Sequence, residues 1–180
     1  MANLLTTIRL FLVVPIAWAF ANPDFISALV LCALIFVAIA SDYFDGIVAR
    51  ATNTSSPWGQ LFDHGTDFVF VTCCLGALTY SGVIHPFLPI LIIIAFSQYV
   101  FDSYFLFRDK QLRMSFLGRW NGVLYFAPLV LVAISRLSFL AIVEPLLVLS
   151  VSFLGLGLTA STIASIIDRS LAPLRLKSGS

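Results

Sequence analysis

The chain has 180 residues, of which 60% are hydrophobic and only 11% charged. A mean hydropathy of +1.02 and 17 Phe leave too little polar surface to cover a water-soluble globule, so a bilayer is the solvent that suits it. The net charge is +1, and no basic run interleaved with aromatics offers a footprint for nucleic acid, so none is expected as a partner.

Six apolar runs follow one another. The first covers about Leu4 to Phe20 and is read as a membrane helix rather than a cleaved leader, because no convincing small-residue cleavage site follows it. A turn at Ala21-Asn22-Pro23-Asp24 leads to the second run, Phe25 to Arg50, whose last two turns become polar. A polar loop, Ala51 to Trp58, precedes the third run, Gly59 to Tyr80, whose first two turns are polar in their turn. Ser81-Gly82 opens the turn to the fourth run, Phe87 to Phe107. The charged stretch Arg108 to Gly118 then leads to Arg119–Ile134, and the last run is Pro145 to Ile167. At about 1.5 Å rise per residue, each run reaches or nearly reaches the roughly 30 Å of hydrocarbon in a bilayer. The three cysteines, Cys32, Cys73 and Cys74, lie in apolar runs without zinc-ligand spacing and read as packing residues.

Charge placement orients the runs. With the N-terminus in the cytoplasm, Arg9, Arg50, Arg108, Lys110, Arg113, Arg119, Arg169, Arg175 and Lys177 all fall on the cytoplasmic side. Of the ten basic residues, only Arg136 falls on the other side. The expected fold is therefore all-α, a multi-pass integral membrane protein of six transmembrane helices with both termini cytoplasmic. Residues 1–168 would form the membrane domain and 169–180 a cytoplasmic C-terminal tail.

Four carboxylates stand where a membrane chain should avoid them. An ionised carboxylate within a span costs several kcal/mol and calls for a partner or a purpose. Asp42 and Asp45, three apart, share a face at the end of the second run; Asp63 and Asp67, four apart, share one at the start of the third. The short intervening loop makes the two runs antiparallel neighbours, so the pairs can face each other. Four clustered negative charges call for a cation. An all-oxygen set, joined by no His or Cys at ligand spacing, points to Mg²⁺ rather than zinc. Two such ions could clamp a pyrophosphate during phosphoryl transfer. Gly46 and Ala49 keep the helix surface small, Arg50 offers a fork for phosphate, and Gly59 opens the third helix without a side chain in the way.

The pattern Asp42-x2-Asp45-Gly46-x2-Ala49-Arg50-x8-Gly59-x3-Asp63-x3-Asp67 resembles the signature of the CDP-alcohol phosphotransferase (CDP-alcohol phosphatidyltransferase) family at all eight fixed positions. The resemblance implies Asp42, Asp45 and Asp63 as ligands of Mg²⁺ or Mn²⁺, in two ions. It implies Asp67 as a further metal ligand and as the general base on the acceptor hydroxyl. Gly46, Ala49, Arg50 and Gly59 would line the CDP pocket, at a cytoplasmic interface, in a homodimer.

Asn3, Thr6 and Arg9 resemble the N-x-L-T-x-x-R start of many members and share one helix face, which would bring all three to the nucleotide; an interfacial anchor and cap is the equally open reading. Arg108, Arg113 and Arg119 would hold an acceptor phosphate, with Arg119 foremost, against the alternative of positive-inside anchors. His64, between two motif aspartates, reads as a partner that orients them or, as the foremost reading, as facing away from the metals. Asp102, inside an apolar run, reads as a functional acid or as the partner of a basic residue.

The function implied is transfer of a phosphatidyl group from CDP-diacylglycerol to an alcohol acceptor, with release of CMP. The alternative is an aminoalcohol phosphotransferase using CDP-choline or CDP-ethanolamine with diacylglycerol. Phe62-Asp63-His64-Gly65 resembles those enzymes, although their chains are usually much longer. A small cation transporter is a third reading, disfavoured because the acids lie near helix ends beside Arg50.

Overall fold

A computed structural model describes residues 2–51, 57–102 and 116–177; the side chains of 2–5, 46, 48–51, 57–58, 60 and 172–177 lie outside that description. The described residues are helical with no strand. The helices are α1 (Ala2–Ala21), α2 (Ala28–Ala51), α3 (Pro57–Tyr80), α4 (Phe87–Phe101), α5 (Phe116–Leu124), α6 (Phe126–Ser135) and α7 (Glu144–Lys177).

Local chemistry places the boundaries. Ser27 caps α2, its hydroxyl accepting the Val30 N–H at 3.4 Å. Pro57 opens α3, where a missing N–H costs nothing. At the other end of α3, Gly82 takes φ +76°; its N–H bonds the Thr79 carbonyl at 3.0 Å and the Val83 N–H bonds that of Leu78 at 2.9 Å. That closing pattern requires a left-handed residue, which glycine adopts without strain. The fifth apolar run differs from the single helix expected: it breaks at Tyr125 into α5 and α6. Pro128 has no N–H to return to the Leu124 carbonyl, so the ladder is interrupted there. The last helix continues unbroken past residue 168 to Lys177.

Four segments are long and apolar enough to cross a membrane: Ala28–Asp45, Leu61–Tyr80, Phe116–Ser135 and Glu144–Leu171. Two shorter apolar helices, Thr6–Ala21 and Phe87–Phe101, accompany them. α1 packs chiefly on α3 and α2, while α7 packs on α4, α5 and α6. Ile16 and Phe20 of α1, Leu31 and Ala38 of α2, and Phe70, Cys74, Leu75 and Leu78 of α3 fill the core. Phe11, Trp18, Phe36 and Phe153 point outward, a surface suited to lipid rather than water.

Arg136, between α6 and α7, has a structural task. Its guanidinium donates to the last carbonyls of α1, from Nη1 to Ala19 at 2.7 Å and from Nη2 to Phe20 at 3.1 Å, and lies over the Phe20 ring. A cation at a helix C-terminus meets both the orphan carbonyls and the negative end of the dipole. Arg136→Gln is expected to cost about 1.5–3 kcal/mol, read as a lowered thermal midpoint of the purified protein.

Candidate active site

The site is assembled by α1 entering between the aspartate-bearing ends of α2 and α3. Asp42 and Asp45 stand on the last turns of α2, Asp63 and Asp67 on the first turns of α3. Arg9 of α1 is fully buried among all four. Its Nη2 lies 3.1 Å from Asp42 Oδ1 and 3.7 Å from Asp45 Oδ2. Its Nη1 lies 3.5 Å from Asp63 Oδ1 and donates to Asp67 Oδ1. One turn earlier on the same face, the Thr6 hydroxyl donates to Asp45 Oδ2 at 2.8 Å. Asp45 is buried, whereas Asp42 keeps 42% of its side chain exposed, so the cluster opens on the Asp42 side.

The carboxylates are not saturated. Four formal negative charges face one guanidinium, an excess of three. Asp45 Oδ1 and Asp63 Oδ1 are buried without a hydrogen-bond donor. Buried carboxylate oxygens left without partners are costly. Among the described residues, the side chains whose ligand atoms already lie together are Asp63, His64 and Asp67, with Asp42 and Asp45 outside that group; carboxylate oxygens suit a hard divalent cation such as Mg²⁺ or Mn²⁺. His64 corrects the expectation that it faces away. One ligand atom each from Asp63, His64 and Asp67 lie within 4.8 Å of one another, and the imidazole ring sits 6.5 Å from the Tyr99 ring. Successive residues on a helix point about 100° apart, and the side chain of Asp67, one turn on, falls between the directions of Asp63 and His64. An imidazole is thus near the oxygen set that sequence spacing had left without one.

A cavity of about 400 Å³ adjoins the cluster, with Asp42, His64 and Asp67 in its wall. Its polar lining continues through Arg119 and Asn121 of α5 and Arg169 of α7; Val71, Ile92, Phe96 and Phe126 line it with apolar surface. Asn121 is held by the Ser161 hydroxyl, which donates to its Oδ1 at 2.6 Å, and its buried Nδ2 has no hydrogen-bond acceptor. Arg169 is fixed by Asp102, Nε to Oδ2 at 2.8 Å, and lies over the Tyr99 ring at 4.9 Å. Asp102 is therefore the partner of a basic residue. Arg119 lines the cavity and is exposed.

The remaining expected residues are placed less fully. Gly46, Ala49 and Arg50 lie on the final turns of α2 and Asn3 on the first of α1, their side chains outside the described residues. Gly59 lies in the first turn of α3, half-buried. Arg108 and Arg113 lie outside the described residues. Arg9 was read from the sequence only as a residue near the nucleotide, not as the partner of the aspartates, and Asn121 and Arg169 were not among the candidate site residues. Arg9 stood in a motif at helical spacing from Thr6, and Asp102 signalled a buried basic partner. Nothing local marked Asn121.

A part-buried carboxylate cluster on apolar helices long enough to cross a membrane, opening on a cavity among them, is the arrangement of a membrane protein with a charged site. The profile of the family described as CDP-alcohol phosphatidyltransferase matches residues 1–165, and the chain belongs to that family, whose members transfer substituted phosphate groups. Choline/ethanolaminephosphotransferase 2 of Arabidopsis thaliana is 45% identical over 49 residues, 27% of this chain and 12% of that protein. Cholinephosphotransferase 1 of Danio rerio is 42% identical over 84 residues, 41% of this chain and 20% of its own length. CDP-diacylglycerol–glycerol-3-phosphate 3-phosphatidyltransferase of Mycoplasma genitalium is 29% identical over 94 residues, 51% of this chain and 39% of its own. The chain thus spans well under half the length of these curated relatives. No solved structure matches it.

Proposed function

We propose that the chain transfers a phosphatidyl group from CDP-diacylglycerol to an alcohol. The observation that carries this reading is the convergence of four aspartates beside a cavity that has a polar wall near Asp67 and apolar surface elsewhere. Such a site suits a donor with a charged pyrophosphate and hydrocarbon tails.

Asp42, Asp45 and Asp63 would hold Mg²⁺ or Mn²⁺, as two ions, with Asp67 contributing. Bound there, the metal would offset negative charge on the pyrophosphate. Asp67, in the cavity wall, accepts the proton of the acceptor hydroxyl. The hydroxyl oxygen forms a bond to the lipid-bearing phosphorus, the bond from that phosphorus to the bridging oxygen breaks, and CMP leaves with the electron pair. Gly46, Ala49, Arg50 and Gly59, with Asn3 and Thr6, would line the nucleotide pocket, as the family motif implies. Arg119, with Arg108 and Arg113, meets an anionic acceptor. The working topology has six crossings, both termini and the site on the cytoplasmic side, and a homodimer. Its support is the positive-inside charge pattern and the gathering of Arg9, Asp102, Arg119 and Arg169 at one end of the helices.

A second reading is favoured by one observation. His64, in the segment that resembles aminoalcohol phosphotransferases, faces the cavity, and two of the relatives above carry choline or ethanolamine transfer in their names. CMP release by the purified protein, with CDP-diacylglycerol and a panel of alcohols against CDP-choline or CDP-ethanolamine with diacylglycerol, separates the two. Turnover with CDP-diacylglycerol is expected. Turnover only with the aminoalcohol nucleotides would overturn the donor assignment.

A further inference from the structure

We propose that Arg9 is a built-in counter-cation of the aspartate cluster: it holds the carboxylates of α2 and α3 in register until a divalent ion arrives, and the ion must displace it. The inference rests on the reading of the cluster as a metal site and concerns how this chain controls entry to it.

A guanidinium with no exposed surface on an apolar helix is costly unless it is fully paired. The ion pairs of Arg9 are to the four aspartates. Its fork is divided between the helices, Nη2 toward the α2 pair and Nη1 toward the α3 pair. One planar group therefore ties together two helix ends that carry like charge and would otherwise repel. Thr6, one turn away, fixes Asp45 from the same helix face, so α1 serves as the template on which the cluster is built.

The same geometry makes Arg9 a competitor. Carboxylates of α2 and α3 that were to hold a divalent ion would have to turn toward it the oxygens that now face Arg9. The Nη atoms already occupy the space between those oxygens, so ion and guanidinium exclude each other there. The guanidinium is the weaker holder. Its hold is uneven: the separations of 3.7 Å to Asp45 and 3.5 Å to Asp63 exceed a good hydrogen bond, against 3.1 Å to Asp42 and the bond to Asp67, and among the described residues neither Nε nor Nη2 makes a hydrogen bond of good geometry. A divalent ion brings twice the charge and can approach Asp45 Oδ1 and Asp63 Oδ1, which Arg9 leaves without a donor. Metal affinity is then reduced by the fraction of molecules in which Arg9 holds the cluster, and removing the fork restores it.

The test measures Mn²⁺ binding by electron paramagnetic resonance, and thermal midpoints after chelation, on the full chain in lipid nanodiscs. It compares wild type with Arg9→Gln and Arg9→Lys. Lys keeps a charge but presents one point instead of a fork, and it carries the test where Gln fails to fold. The expected result is Mn²⁺ binding tightened about tenfold in the variants, together with a lower midpoint in chelator than wild type and a larger rise on adding Mn²⁺. Unchanged or weaker Mn²⁺ binding in the folded variants would overturn the displacement. A wild type that binds no Mn²⁺ would instead overturn the metal reading, and the inference with it.

Discussion

Asp67→Asn is expected to lower CMP release by about 10²–10⁴-fold, the range typical of a lost general base. Asp67 lines the cavity in which an acceptor hydroxyl would lie and accepts a hydrogen bond from Arg9. Asn keeps the size of the side chain and its Oδ1 acceptor, so the bond from Arg9 can persist while the proton-accepting capacity disappears. The loss should therefore fall mainly on kcat when read at saturating Mg²⁺, because Asp67 also contributes to the metal site and part of the change would otherwise reflect metal binding. Steady-state CMP release and a melting curve on the same preparation check this. Full CMP release by the variant would remove Asp67 from the base role.

The second large effect is expected at Asp63. Its Oδ1 is buried without a hydrogen-bond donor among the described residues, and one of its carboxylate oxygens lies within 4.8 Å of ligand atoms of His64 and Asp67. Asp63→Asn removes one charge from a set that already relies on cations from elsewhere. The half-saturating Mg²⁺ concentration for CMP release should rise about tenfold or more, with activity at low Mg²⁺ down by about 10²-fold, since each 1.36 kcal/mol of lost stabilisation is a factor of ten. Excess Mg²⁺ should recover part of the rate. Asp102→Asn supplies the contrast: Asp102 is a carboxylate on α4 whose partner is Arg169, and its removal should leave the Mg²⁺ dependence unchanged. An Asp63 variant with wild-type Mg²⁺ dependence would exclude that carboxylate as a ligand.

The role proposed for Arg9 changes how both results are interpreted. A carboxylate variant alters the hold of the guanidinium as well as the hold of the metal, because Arg9 reaches all four aspartates. Combining each with Arg9→Lys separates the two contributions, since residues in direct contact are not additive.

What could be read from the residues alone followed from short-range rules. Apolar runs long enough for a bilayer, the Gly82 turn, and carboxylates three and four apart are each encoded within a few positions, because helix periodicity and glycine's freedom at positive φ are local properties. The eight-position motif reached further, because one chemistry demands those residue types at that spacing. The break at Tyr125 lay within reach of the same rules, through Pro128, but an apolar run hides it. Only the tertiary structure decided what fills the centre of the aspartates. Arg9 is 33 residues before Asp42 in the chain, and only the packing of α1 against α2 and α3 brings its fork between them. The same holds for the wall of the cavity, where Asn121, Ser161 and Arg169 come from α5 and α7, and for His64, whose direction depends on how α3 is rotated against its neighbours. The carboxylates announced themselves because charge in an apolar chain is conspicuous, whereas the cation that meets them was one basic residue among ten until the helices were packed.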